Sequence, residues 1–342
     1  MNFKLYKRLT ALSCAALLLS LWIFGTYLRT HGQQPTATQP RDPKAWGGNH
    51  VGKPIPDFVH GDECLFCHRN TIGAHWQENA HGVTLRQLED AGKLRDLLKQ
   101  PELASVAKDI EYFLGSRNHI RFLKKEGFGK FAILNTRVVL DDSGKVINWI
   151  EKDQPTWDKE KFGNNCAGCH ATGVDTKTKT FAAFGLDCYV CHGDVNLEHS
   201  NDTKLMILSK KRHDESELIT SICAQCHLRE GKSNSTGLPY PNTYIAGDNL
   251  FQDFNVDFAK ADDEKLNRID RHIYRNVREV AVQGKTSPTC LSCHQVHFDS
   301  RAQSYAKHII APRGPICFDC HASESDMKSL KPYEKTSKVC EY

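Results

Sequence analysis

Cys64-Leu65-Phe66-Cys67-His68 is the first of six runs built to one pattern. The others are Cys166-Ala167-Gly168-Cys169-His170, Cys188-Tyr189-Val190-Cys191-His192, Cys223-Ala224-Gln225-Cys226-His227, Cys290-Leu291-Ser292-Cys293-His294 and Cys317-Phe318-Asp319-Cys320-His321, numbered motifs 1 to 6 in chain order. Two thiols separated by two residues can each add across one vinyl group of a single porphyrin. The adjoining imidazole then lies beneath the iron. Each run therefore reads as a c-type haem attachment site. On this reading the cofactors are six covalently bound haems, and His68, His170, His192, His227, His294 and His321 are the proximal iron ligands.

Zinc is the competing reading, because Cys-x-x-Cys pairs also build tetrahedral sites. It leaves unexplained why histidine stands at one fixed offset six times in a chain with only 17 histidines among 342 residues. A thioredoxin-like redox pair fails on the same ground. The six pairs use all of the 14 cysteines except Cys14 and Cys340. Neither is needed for a disulfide framework.

The composition is 39% hydrophobic with a mean hydropathy of −0.51. That is lean for a chain long enough to bury an ordinary core. The porphyrins are expected to supply much of the apolar interior and to order long irregular wraps. The expected fold is mainly α with much irregular structure, organised around six haems, with one small β-hairpin. Haem propionates turn the formal net charge of +4 slightly negative, so a basic nucleic-acid-binding surface is not expected.

Residues 1–10 carry Lys4, Lys7 and Arg8 and no acid, and an almost unbroken apolar run follows from Ala11 to Leu28. This reads as a retained signal anchor, with a cleaved signal peptide as the alternative. The basic flank predicts a cytoplasmic amino terminus and an exported remainder. The expected organisation is an anchor over 1–28, an extended Gln/Pro/Thr/Gly-rich linker over 29–55 and a hexahaem domain over 56–342. Its place is the periplasmic or extracytoplasmic side of the cytoplasmic membrane.

The motif spacing is uneven, with steps of 102, 22, 35, 67 and 27 residues. The short steps predict that motifs 2 and 3, and motifs 5 and 6, are spatial neighbours. Within the long first step, Leu85, Leu88, Leu94, Leu97 and Leu98 predict a helix. Pro101 breaks it and opens a second carrying Leu103, Val106, Ile110 and Phe113. Val138–Leu140 and Val146–Trp149, around Asp141-Asp142-Ser143-Gly144, predict the hairpin. Asp262–Val282 predicts another helix, with Leu266, Ile269, Ile273, Tyr274 and Val277 on one side.

Each iron needs a sixth ligand or an open position. Eleven histidines remain: His31, His50, His60, His75, His81, His119, His199, His213, His272, His297 and His308. Methionine offers only Met206 and Met327 in the exported part. Most haems are therefore expected to be bis-His and low in potential relative to His/Met centres. His31 and His50 are expected to be idle.

Several runs resemble the multihaem cytochromes of the cytochrome c-554 type. Trp76-Gln77-Glu78-Asn79-Ala80-His81 is similar to that family's Trp-x-x-Ser-x-His, with Asn79 in place of Ser. Cys166 to Gly173, Gly185 to Gly193 (with Asp194 where Pro is common), Cys223 to Arg229, Tyr240-Pro241, Gly247-Asp248-Asn249-Leu250, Asp270-Arg271-His272 and Cys290 to His297 follow in the family's order. The likeness covers about residues 60 to 321. It implies that His81, His199, His272 and His297 bind iron on the distal side. His119 and His308 are the next candidates, with His60 and His213 in reserve.

Closely spaced haems with both axial positions filled cannot bind a substrate at iron but can pass single electrons, so the expected function is an electron carrier between respiratory redox partners, a quinol-oxidising complex or a soluble redox protein. The membrane is engaged through the amino-terminal segment, and oligomerisation is left open. Two alternatives stand beside it. One is a reductase or oxidase of a small nitrogen or sulfur compound at one open haem, although no Cys-x-x-Cys-Lys site is present. The other is a subunit of a haem-stacked filament.

Overall fold

A computed structural model describes residues 40–56, 58, 60–76, 79–115, 119–141, 143–151, 153–209, 212–294 and 296–297. The apolar run at 11–28, motif 6 with Cys317, Cys320 and His321, and the histidines His31 and His308 lie outside these residues.

The largest departure from expectation is a six-stranded antiparallel sheet between motifs 1 and 2. Its strands are β1 (Leu85–Gln87), β2 (Tyr112–Leu114), β3 (His119–Gly127), β4 (Lys130–Leu140), β5 (Val146–Ile150) and β6 (Trp157–Asp158). They pair in the order β1-β2-β3-β4-β5, and β6 joins β4 beside β5. The stretches read as a hairpin are the end of β4 and β5, with Val138 opposite Trp149. They belong to this larger sheet, so a description as mainly α with one small hairpin is corrected.

The sheet forms because its strands alternate. Ile133 and Leu134, adjacent on β4 and both fully buried, enter different cores. Leu134 joins Phe113, Ile120, Phe122, Val138 and Leu140 on one face. Ile133 joins Leu123, Phe131, Phe162 and Phe181 on the other, together with Ala167 of motif 2. One face thus packs against a layer of the chain's own side chains, and the other forms the wall behind a haem motif.

The two helices expected over 85–113 are absent. Leu85 lies in β1, residues Gly92–Lys99, Pro101–Leu103 and Ala107–Asp109 form 3₁₀ turns, and Phe113 lies in β2. Leu88, Ala91, Leu94 and Leu97 recur at every third position, which is the 3₁₀ period rather than the α period. They cover the first face of the sheet.

The remaining helices are short. In chain order they are α1 (Gly61–His68), α2 (Ala74–Trp76), α3 (Ala167–His170), α4 (Cys188–His192), α5 (Ser216–His227), α6 (Arg268–Ala281) and α7 (Cys290–Cys293). The helix expected over 262–282 is α6, which starts later because Phe258–Asp262 is a 3₁₀ turn. Asn267 caps it by accepting from the Asp270 backbone. Its apolar stripe of Tyr274, Val277 and Ala281 packs with Ala224 and Leu228 of the motif 4 region.

Part of the expected extended linker is packed. Trp46 stacks on Phe251 at 5.7 Å, and the Asn249 backbone donates to Gly48 O at 2.6 Å. His50, expected to be idle, places Nδ1 2.6 Å from Asp248 Oδ1. No helix among the described residues is long and apolar enough to cross a membrane.

Candidate haem-binding centres

Each described motif sits on a short helix or at a helix end. Motif 1 ends α1, motif 2 spans the start of α3, motif 3 is the whole of α4, motif 4 ends α5 and motif 5 spans α7. Helical geometry puts cysteines three positions apart on one face, and the following histidine leaves at the helix end. The His294 backbone donates to Cys290 O at 2.9 Å, closing that turn. In motif 2 the middle position must be Gly168, because a Cβ there would stand 2.2 Å from the Tyr240 ring. Tyr240 is held by its hydroxyl, which donates to Gly163 O.

Three motif imidazoles face a second histidine. His68 and His199 have ring centroids 6.1 Å apart and lie within 17° of parallel. His192 and His297 are 5.9 Å apart at 25°. His227 and His81 are 6.2 Å apart at 70°. Two iron–imidazole bonds of about 2 Å each plus half a ring width on either side give the same separation. Trp76 packs edge-on to His297 at 6.1 Å.

The rings are oriented from behind. His192 Nδ1 is 2.7 Å from Ile207 O, and His199 Nδ1 is 2.8 Å from Asn196 O. A ring whose Nδ1–H donates to a carbonyl offers its Nε2 lone pair to a metal. Burial pushes His170 and His227 down to about 4 and lowers His81, His192, His294 and His297. His227 keeps some surface open to solvent, yet its ring is crowded by enough protein to produce this effect. Neutral imidazole is the form that binds metal.

The other site candidates are placed differently. His170 is half-buried, with its Nδ1 atom buried and unpartnered, and lies near Arg229. His119 is exposed at the start of β3, and among the described residues no ring contact joins it to a motif histidine. His272 is exposed on α6. His60 is exposed, with Nδ1 3.9 Å from Asp187 Oδ2. His213 is exposed.

The motifs also touch one another. The Cys64 and Cys188 thiols meet, as do those of Cys169 and Cys226 and those of Cys223 and Cys290. Motif 2 therefore contacts motif 4 directly and motif 3 contacts motif 1. Motifs 2 and 3 are also neighbours, as their short chain step predicts, with the Asp187 backbone donating to Thr172 Oγ1 at 2.8 Å. Among the described residues, no group of three or more His, Cys, Asp or Glu side chains converges as a metal ion's protein ligands would.

Residues 140–193, which include motifs 2 and 3, match the family model described as cytochrome c554 and c-prime. Over this segment the chain resembles the multihaem c-type cytochromes. Among solved structures the chain is similar to the outer cell wall cytochrome OcwA, with 22% identity, a TM-score of 0.40, and coverage of 58% of this chain and 45% of that one. It is also similar to an undecahaem cytochrome from the S-layer of Carboxydothermus ferrireducens, with 16% identity, a TM-score of 0.43, and coverage of 80% and 44%. The chain thus spans less than half the length of either structure. No curated protein matches it.

The residues fit the group they are asked to hold. Paired thiols stand beside paired imidazoles, two of them oriented by backbone carbonyls, and apolar side chains pack around the motif 2 region. Sequence reasoning missed His50 and Asp248. The run Gly247-Asp248-Asn249 was noticed only for its resemblance, and nothing in the sequence linked it to a histidine 198 positions away.

Proposed function

We propose that the chain is an exported hexahaem electron carrier whose irons are mostly closed by two histidines. The observation that carries this reading is the ring separation of about 6 Å in three pairs, each joining a motif histidine to a histidine from elsewhere in the chain. On this assignment His68 and His199 hold the motif 1 iron, His192 and His297 that of motif 3, and His227 and His81 that of motif 4. His170, His294 and His321 are the proximal ligands of the other three, with His272, His119 and His308 as the remaining distal candidates.

Bound haem supplies one-electron redox chemistry at iron. The protein's part is to fix the cofactors and set their potentials. The cysteine pairs hold each ring edge. Ile207 O and Asn196 O fix the tautomer and orientation of their histidines. Low-polarity walls such as Phe131, Phe162 and Phe181 keep water from the motif 2 region. Closed coordination leaves no iron position for a substrate, which favours outer-sphere transfer to other redox proteins, a quinol-oxidising complex among them. The apolar run at 11–28 would hold the cytochrome at the outer face of the cytoplasmic membrane.

The test is a mass measurement of the native chain followed by an optical spectrum of the reduced protein with carbon monoxide. Six thioether-bound haems and no carbon monoxide shift are expected. A shift corresponding to a whole haem would overturn the carrier reading in favour of an enzyme with an open iron.

A further inference from the structure

The β3–β4 hairpin ends in the two-residue turn Phe128-Gly129, closed by Gly127 opposite Lys130. Phe128 is 85% exposed there. The turn is braced from the side. The Phe181 backbone donates to Gly129 O at 3.2 Å, and a Cβ on Gly129 would stand 2.5 Å from Phe181 O. An aromatic ring is thus held out into solvent on a firm tip. A lone exposed ring on a protein surface is ordinary. Here it is surrounded by one sign of charge.

Lys130 from β4, Lys159 just after β6 and Lys179 from the 175–180 turn line one cleft with Phe131, Glu160 and Gly163. In the segments that meet at this end of the sheet, 124–131, 158–161 and 175–180, seven lysines stand against four carboxylates. Glu126 takes up two of the lysines, with Lys159 Nζ at 3.0 Å and Lys124 Nζ at 3.7 Å. Among the described residues no carboxylate comes within ion-pair distance of Lys125, Lys130, Lys177 or Lys179. Asp158 and Asp175 accept instead from backbone N–H groups, those of Glu160 and Lys161 and of Lys177 and Thr178. The whole chain carries a formal net charge of only +4, so this end holds a disproportionate share of it.

We propose that the Phe128 tip and its girdle of lysines dock on an anionic lipid surface, with the cleft of Lys130, Lys159 and Lys179 receiving a lipid phosphate. The ring enters the acyl boundary while the ammonium groups stay among the headgroups, and the lysine stems bridge the two levels. Lysine takes a phosphate as a point charge, without fixed geometry, which suits a fluid surface. A protein partner would have to offer a pocket for the projecting ring inside an acidic rim. The apolar run at 11–28 would already tether the chain to a bilayer, which makes lipid the surface at highest effective concentration. The consequence is a chain held at the membrane at two points, with this end of the sheet towards the lipid. The proposal takes the tether from the reading above and is independent of haem number and ligation.

The experiment is amine labelling of the native full chain, read lysine by lysine by mass spectrometry, in vesicles of phosphatidylcholine alone and of phosphatidylcholine mixed with phosphatidylglycerol. A tether acts alike in both, so the difference between them reports the girdle. Each lysine at an anionic surface strengthens binding about fivefold, and labelling of Lys130, Lys159 and Lys179 is expected to fall by about that factor or more in the anionic vesicles only. Lys145, exposed at the opposite end of β4, should label equally in both. Phe128→Ser should restore most of the labelling and leave the unfolding midpoint unchanged. Equal labelling of the girdle in the two vesicle types, or a Phe128→Ser chain protected like the native one, would overturn the contact. Protection by inorganic phosphate with none added by anionic vesicles would make the cleft a free-anion site and overturn it too. Protection in native membranes but not in anionic vesicles would give the face to an acidic protein instead. A mature mass lacking residues 11–28 would sink the tether alone. The same two vesicle types are then compared by flotation, where the native chain should rise with the anionic vesicles only, and failure to rise would refute the contact.

Discussion

The carboxylate of Asp187 ties its own helix to Gly61, 126 positions earlier. The Gly61 backbone donates to Oδ2 at 2.8 Å, and the Cys188 backbone donates to Oδ1 at 2.6 Å. One side chain thus caps the first turns of both α1 and α4, the helices of motifs 1 and 3. Such a cap suits the orphan N–H groups at a helix start and the dipole's positive end. It also explains how two motifs far apart in sequence keep their cysteines together.

Gly61→Ala should break this clasp. An added Cβ would stand 2.0 Å from Asp187 Oδ1, so one helix must move. The expected loss is about 1–3 kcal/mol of stability, read from denaturant unfolding of the haem-loaded protein. Asp187→Asn, by contrast, keeps one acceptor and removes the charge beside both Cys64 and Cys188. Two haem midpoints should then rise while the others stay in place in a spectropotentiometric titration.

His81→Ala should open one iron. The ring facing His227 at 6.2 Å is removed, so one haem is expected to become high-spin and to bind carbon monoxide. His75→Ala, at an exposed position a few residues earlier, should leave the spectrum unchanged. Equal spectra for the two variants would show that His81 is not an axial ligand.

The tyrosines around motifs 2 to 4 predict alkaline sensitivity. Burial pushes Tyr189 and Tyr240 up to about 12 and Tyr244 well above the ordinary value of 10. The folded chain therefore keeps these phenols protonated at a pH where the unfolded chain has released them. Stability is fully present below pH ~10 and declines as pH rises towards and beyond 12, by about 1.4 kcal/mol per pH unit for each tyrosine involved. Unfolding free energy measured between pH 9 and 12 checks this. Tyr244→Phe should make the decline shallower.

Ile133→Ala and Leu134→Ala should cost similar stability, about 2–5 kcal/mol each, because both side chains are fully buried. Their spectral effects should differ. Ile133 shares a core with Ala167 of motif 2, whereas Leu134 faces the 3₁₀ layer. Only the Ile133 variant is expected to shift a haem midpoint, and a shift from Leu134→Ala alone would reverse the assignment of faces.

The attachment motifs were legible because their chemistry is local, confined to five consecutive residues. The ring partners were not. His81 lies beside motif 1 in the chain but faces His227 of motif 4, and only the fold closes that distance. The stripe from Leu88 to Leu97 was visible as one-sided but was assigned the wrong period. Its three-residue repeat and Gly92, with φ of +53°, favour tight 3₁₀ turns. The sheet was underread because only its last turn carries the Asp-Asp-Ser-Gly signal. The continuous apolar run Phe131-Ala132-Ile133-Leu134, buried on both faces, is the signal of a central strand. Lysines and arginines at its margins, such as Arg121 paired with Arg137, diluted the apolar pattern.

The two faces of the six-stranded sheet bear on how the protein is made. The layer around Leu134, Phe113 and Phe122 includes no residue of a described attachment motif, so it can condense on the nascent chain before any porphyrin arrives. The opposite face would then already be a rigid platform when motif 2 is presented for thioether formation. Biogenesis of this molecule would begin from a cofactor-independent seed, with the later attachments assembled around it.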